Sequence, residues 1–305
     1  MNMKRFFGLI VLLLAPAVAR AQDSGTWEML DAIPPGILER WEMETHLVGT
    51  PSLAWNDRKV LTLAFNGGND QVRALIEKTA SEWTALNGTL EFSFRNKDGT
   101  FRTWTSSDDV PAAAVRIAFS LKKKDAGYWS VLGRMATVSY PNEQTMNLGK
   151  LETRLQAFGD GTSKEWMQSY DRAVILHEFG HALGLSHEHF HPDCQKDLKM
   201  KEIVAYLMGP PDNWEEIQAR FNMDAAVYFK ISKTRADKAF PKQDNLPTIT
   251  RKIDQHSVML YAFKDWYFTS GATSPCRSKE PLGYATSLSD GDKAGYINYY
   301  KPKSK

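Results

Sequence analysis

The apolar pattern changes character twice along the chain. It begins with MNMKR, a short basic stretch, followed by the apolar run FFGLIVLLLAPAVA and the small-residue site ARA at 19–21. This order predicts a secretory signal peptide over 1–21, cut near Ala21. A membrane anchor is the other reading, but the run is shorter than the roughly 20 residues that span a bilayer. Residues 22–57 show no period and carry Pro34-Pro35, Gly36, Gly49 and Pro51. They read as a leader, either a pro-segment or an N-terminal wrap.

Regular patterning starts at Lys59. VLTLAF predicts a strand closed by Asn66-Gly67-Gly68. Asn69 or Asp70 can cap the helix that follows, in which Val72, Leu75, Ile76, Thr79 and Trp83 recur at helical spacing. LEFSF at 90–94 alternates, AAVRIAF at 113–119 reads as a further strand, and extended pieces follow around 129–139 and 145–148. A second helix runs from about Ser169 to Leu183. Strands interleaved with two long helices predict an α+β fold. Past Gly184 the chain turns loop-rich, with helices near 197–207 and 213–221. A closing helix, DGDKAGYINYY, is capped by Ser289 or Asp290. We read residues 58–300 as one domain with lobes at about 58–184 and 185–300.

Composition adds little to this except through the signal. At 42% hydrophobic and 24% charged, the 305-residue chain is ordinary for a soluble protein. The signal holds Lys4, Arg5 and Arg20 and no acid, so its removal takes the net charge from +2 to 2 − 3 = −1. A basic nucleic-acid-binding surface has no support, and after signal removal no membrane segment remains. Export matters for Cys194 and Cys276. A disulfide between them would close a loop of 276 − 194 = 82 residues. The chain-entropy gain is roughly 4 kcal/mol. Two buried free thiols are the other reading.

The chemistry is concentrated in HEFGHALGLSHEHFH at 177–191. His177 and His181 lie four apart on a helix, so both rings leave one face and can share a zinc ion. Glu178 is rotated by about 100° from His177. That keeps it out of the ligand set but near a water on the metal, as a general base should be. Gly184 can end the helix in a left-handed conformation, turning the chain back to bring His187 as third ligand. Three nitrogen ligands leave a fourth position open, which marks a catalytic site. A buried helix with hydrogen-bonded histidines is the bland reading, but the five residues of HExxHxxGxxH coincide at the required offsets. His46, His189, His191 and His256 remain. His189 and His191 could extend the metal site, but surface or outer-layer roles are the better reading, and His256 borders the turn, where it would pack.

Downstream stands SVMLY at 257–261. The histidine motif followed by Ser-x-Met-x-Tyr resembles the metzincin peptidases, in which the methionine, here Met259, forms an apolar floor under the metal. Within them the chain is most similar to the astacin family. Glu188 follows the third histidine, Asp254 precedes the turn, and SVLGR at 130–134, MNLG at 146–149 and SLSDGDKAGYINYY resemble family segments. The chain departs from it in reading Glu188-His189-Phe190-His191 after the motif, and in lacking the four-cysteine pattern and a pro-segment switch. The serralysins are the nearest rival family, but their calcium-binding glycine repeats are absent.

The resemblance implies a metzincin-like two-lobe catalytic domain, with a twisted mixed sheet and two long helices before a loop-rich lobe with few helices. It implies a secreted, extracellular or periplasmic, monomeric zinc metalloendopeptidase acting on protein or peptide substrates. Zn2+ would sit on His177, His181 and His187, Glu178 would act as base, and Tyr261 would serve as a weak ligand and oxyanion donor. It further implies that Glu188 pairs with a new amino terminus after pro-segment removal. A serralysin-like or other metzincin protease, a zinc hydrolase of non-peptide amides and a non-catalytic zinc-containing binding protein are the alternatives.

Overall fold

In the computed structural model, which describes residues 53–86, 89–122, 125–228 and 252–300, the alternating run at Val60–Asn66 forms β1. The predicted signal peptide and the leader as far as residue 52 lie outside the described residues. After β1, Asn69 caps helix α1, Asp70–Thr84, by accepting the Val72 N–H at 2.9 Å. The helix buries Val72, Leu75, Ile76 and Trp83, the positions its spacing marked.

Four more strands complete the sheet: β2, Glu91–Ser93; β3, Val115–Ala118; β4, Tyr128–Ser130; and β5, Met146–Leu148. Their order is β2-β1-β3-β5-β4, parallel throughout except for β4, which runs antiparallel to β5. Phe65 pairs with Ile117, and Ile117 with Met146, so apolar positions stack across the sheet. β4 is the outer strand beside the site. Two buried polar side chains on neighbouring strands hold its flanking loops. Asn147 donates to the Gly127 carbonyl at 2.7 Å and accepts from the Ser120 N–H at 2.7 Å. Arg116 donates to the carbonyls of Glu143 and Tyr140 at 2.7 and 2.9 Å.

The extended piece expected over 129–139 is shorter than its sequence suggested. β4 ends at Ser130, and Gly133–Val138 forms a 3-10 turn. Gly133 explains the turn: its φ is +44°, and an added Cβ would stand 2.2 Å from the Leu53 carbonyl. The chain bends there to let residue 53 pass. Leu53, Ala54 and Trp55, in the stretch read as leader, are buried in the core.

Two short helices, α2 at Leu151–Arg154 and α3 at Lys164–Met167, lead to α4, Tyr170–Ala182. α4 is buried nearly all round, and the Trp83 indole ties it to α1 by donating to the Leu176 carbonyl at 2.9 Å. Beyond Gly184 the described residues form α5, Pro192–Asp197; α6, Met200–Met208; α7, Glu216–Met223; and α8, Asp290–Tyr299. A disulfide joins Cys194 on α5 to Cys276. The result is the expected α+β architecture, and one apolar cluster runs continuously from β1 through α4 to α8. No helix among the described residues is long and apolar enough to cross a membrane.

Candidate metal centre and its supports

α4 starts where the Ser169 hydroxyl accepts the Arg172 N–H at 3.1 Å, and it carries His177, Glu178 and His181 into the interior. It ends at Gly184, whose φ is +91°. There the Leu185 N–H reaches back to the Gly180 carbonyl at 3.0 Å, and the chain reverses. The reversal brings His187 to the other two: His181 Nε2 lies 3.2 Å from His177 Nε2 and 3.0 Å from His187 Nε2. All three rings are buried.

Their outer nitrogens explain their orientation. His177 Nδ1 lies 2.7 Å from the Val258 carbonyl and His181 Nδ1 2.7 Å from the Leu185 carbonyl. A carbonyl only accepts, so each Nδ1 carries the hydrogen and each Nε2 presents a lone pair. Lone pairs meeting at 3.0–3.2 Å repel unless a cation lies among them. These three histidines form the only metal-competent group of His, Cys, Asp or Glu among the described residues. Zn–N bonds of about 2.0–2.1 Å in a tetrahedron would separate the nitrogens by about 3.4 Å, so the spacing fits zinc closely. Glu178 is buried beside them.

The turn beneath the histidines is built from Ser257 to Tyr261. Ser257 Oγ accepts the Met259 N–H at 2.9 Å, and the Met259 carbonyl accepts the Glu188 N–H at 3.0 Å. Met259 lies against α4 at Gly180, where an added Cβ would be 2.4 Å from its sulfur. Tyr261 is fully buried, its ring 4.4 Å from that of His187 and 5.8 Å from that of His177. Glu188 Oε1 accepts the Asp254 N–H at 2.8 Å.

Sequence reasoning missed three supports. Asp292 on α8 accepts from the Ser257 hydroxyl at 2.6 Å and the Val258 N–H at 3.0 Å, so it holds the segment that orients His177. Burial pushes its carboxyl up, against the pull of these hydrogen bonds. Its signal was Ser289-x-x-Asp292, a capping box whose acid also reaches outwards. Gly180 stands at an unassigned position of the helix motif. Finally, Trp55 Nε1 donates to the Ala182 carbonyl at 2.8 Å and the Tyr300 hydroxyl to the Leu183 carbonyl at 2.7 Å, capping the end of α4.

The other histidines divide. His189 is buried against His187 and Tyr261, which an outer-layer role allows and a surface role does not. His191 caps α5 by accepting the Asp193 N–H at 3.2 Å. His256 is exposed and meets Glu280 Oε1 at 2.7 Å, so it does not pack as expected. The expected position of His46 lies outside the described residues.

No protein-family model matches this chain, and no curated protein matches it. Among solved structures, one of myroilysin covers 83% of this chain and 98% of its own, at 26% identity and a TM-score of 0.57. A crystal structure of myroilysin covers 82% and 87% at 25% identity, with a TM-score of 0.48. High choriolytic enzyme 1, a hatching enzyme zinc-protease from Oryzias latipes (medaka fish), covers 82% and 93% at 15% identity, with a TM-score of 0.42. Only the first superposes closely enough for its fold to carry weight. In fold the chain is similar to the astacin-type zinc metallopeptidases that its sequence motifs resemble, and its histidine triad fits the enzyme class of a zinc metalloendopeptidase.

Proposed function

We propose that the chain is a secreted zinc endopeptidase that hydrolyses internal peptide bonds of proteins, with zinc on His177, His181 and His187 and Glu178 as general base. The observation that carries this reading is the convergence of three buried Nε2 atoms, two of them fixed as lone-pair donors by backbone carbonyls. When bound, zinc supplies a Lewis acid that polarises a carbonyl and lowers the pKa of a water to about 7.

The chain's own residues do the rest. Glu178 takes a proton from the attacking water as its oxygen bonds to the carbonyl carbon, then delivers it to the amine nitrogen as the C–N bond breaks. Tyr261 donates a hydrogen bond to the oxyanion formed between these steps. The outer edge of β4 pairs with no strand among the described residues, so its backbone can bind an extended peptide without regard to sequence. Secretion is supported by the Cys194–Cys276 disulfide, which suits an oxidising compartment, and by the signal-like start of the chain.

The test is casein cleavage by the purified protein, with and without a chelator, alongside Glu178→Gln. Cleavage should stop with chelator and return with zinc. Glu178→Gln should keep stoichiometric zinc and lose about 10²-fold or more in rate. Chelator-insensitive cleavage, or a fully active Glu178→Gln, would refute the assignment.

A further inference from the structure

His189 differs from the three converging histidines. Its ring is stacked on Tyr261 at 4.6 Å and on His187 at 5.0 Å, with interplanar angles of 26° and 23°. Phe190 and Phe263 surround it further, at 4.4 and 5.2 Å. Its Nε2 lies 2.9 Å from the Asn222 carbonyl near the end of α7. That carbonyl only accepts, so Nε2 carries the hydrogen and offers no lone pair to a metal. The arrangement reverses that of His177 and His181, which give Nδ1–H to carbonyls and turn Nε2 inwards.

The same turn is tied to the end of α7 a second time. Gln195 Nε2 donates to the carbonyls of His189 and Met223, each at 3.0 Å, and its Oε1 accepts the Ala225 N–H at 2.9 Å. The backbone of this turn is therefore fixed independently of the His189 ring. What the ring adds is a flat surface whose direction is set by its own hydrogen bond. A phenol stacked on such a surface loses freedom to swing, and so does the imidazole beside it.

We infer that His189 is a positioning residue: it holds the Tyr261 phenol and the His187 imidazole in register with α7 and does not bind the metal. The kinetic part of this inference rests on the proposed peptidase activity; the metal-binding part does not.

Two variants separate the components. His189→Phe keeps a ring and loses the tether, whereas His189→Gln keeps a donor and loses the ring. Zinc affinity is read by competition with a chromophoric chelator. kcat and KM are read on a fluorogenic peptide, in the parent and in a Tyr261→Phe background. Both variants should bind one zinc, held about 10–100-fold more weakly, the range for losing an orienting partner of a ligand. kcat should fall about 10-fold with KM within about twofold, because the phenol acts mainly in the transition state. Adding either change to Tyr261→Phe should lower kcat little further, since both act through one group.

Parental zinc affinity in both variants overturns the inference, as do kcat losses that multiply in the double variants. Complete loss of zinc from both also overturns it, by making His189 a ligand. If the parent binds zinc and cleaves no peptide, the peptidase assignment fails and zinc affinity alone decides the role of His189.

Discussion

Gly180 offers the sharpest test of how Met259 is packed against α4. It lies inside α4 between the two helical histidines, and replacing it by alanine has two opposed effects. Alanine is about 0.8–1.0 kcal/mol better than glycine in a helix interior. Against this, the new Cβ would stand 2.4 Å from Met259 Sδ, 3.2 Å from Met259 Cε and 3.3 Å from Trp83 Cζ2. Ordinary contacts between such atoms are about 3.5–4.0 Å, so the sulfur must retreat by more than about 1 Å. Met259 is buried beneath the histidines, with Trp83 closing the same space. Overpacking of this kind costs about 1–3 kcal/mol, so the clash outweighs the propensity gain by up to about 2 kcal/mol. For a body of this size, that lowers Tm by up to about 8 °C.

Gly295→Ala is the internal control. It also lies within a helix, α8, but its added Cβ meets nothing within 4 Å. It should gain about 0.5–1 kcal/mol. Urea unfolding of both variants, metal-free and zinc-loaded, measures the difference. If Gly180→Ala is stabilised as much as Gly295→Ala, Met259 is free to move and is not held against Gly180.

Tyr261→Phe should lower kcat by roughly 10–10³-fold with KM and zinc content little changed, as rapid kinetics and metal analysis would show; a parental rate would remove the phenol from the mechanism. Asp292→Asn should cost about 1.5–3 kcal/mol in urea unfolding, because one of two accepting oxygens, which together take the Ser257 hydroxyl and the Val258 and Ser289 N–H groups, becomes a donor. Zinc affinity should fall with it, since Val258 orients His177; unchanged affinity would uncouple α8 from the site. Burial pushes the Asp197 carboxyl up, but hydrogen bonds from Ser270 and Ser274 outweigh this and leave it below the usual value of 3.8. Its contribution is therefore full above about pH 4 and lost as pH falls through the lowered value, so Asp197→Asn should flatten the acid limb of stability measured from pH 6 to 2.

Most of the histidine segment was legible because its geometry is local. His177, Glu178 and His181 share one helix and Gly184 is three residues on, so their relation is set by helical geometry and a single turn. The strands and α1 were legible for a similar reason, their apolar periods being regular. What stayed hidden depends on distant partners. Nothing near Asp292 indicates that it reaches residues 257 and 258, and nothing near Trp55 points to the carbonyl of Ala182. The 3-10 turn at Gly133–Val138 replaced an expected extension because residue 53 passes beside it, a contact between segments about eighty positions apart. His189 was ambiguous for a subtler reason. Which ring nitrogen a histidine turns towards a metal depends on the hydrogen bond made by the other, and that partner lies on α7.

The cap on the end of α4 has a consequence for timing. Trp55 and Tyr300 are 245 positions apart, yet both contribute to the cap, and the Trp55 N–H lies 3.5 Å from the Tyr300 hydroxyl. A chain made from its N-terminus presents His177 and His181 more than a hundred residues before Tyr300 appears. Until then the carbonyls of Ala182 and Leu183 lack one of their two donors, and the turn that brings His187 is held from one side alone. The end of α4 thus gains its second donor only when the last helix is in place. A fragment ending at Leu288 should accordingly bind zinc more weakly than the full chain; equal affinity would show that the site matures without its final segment.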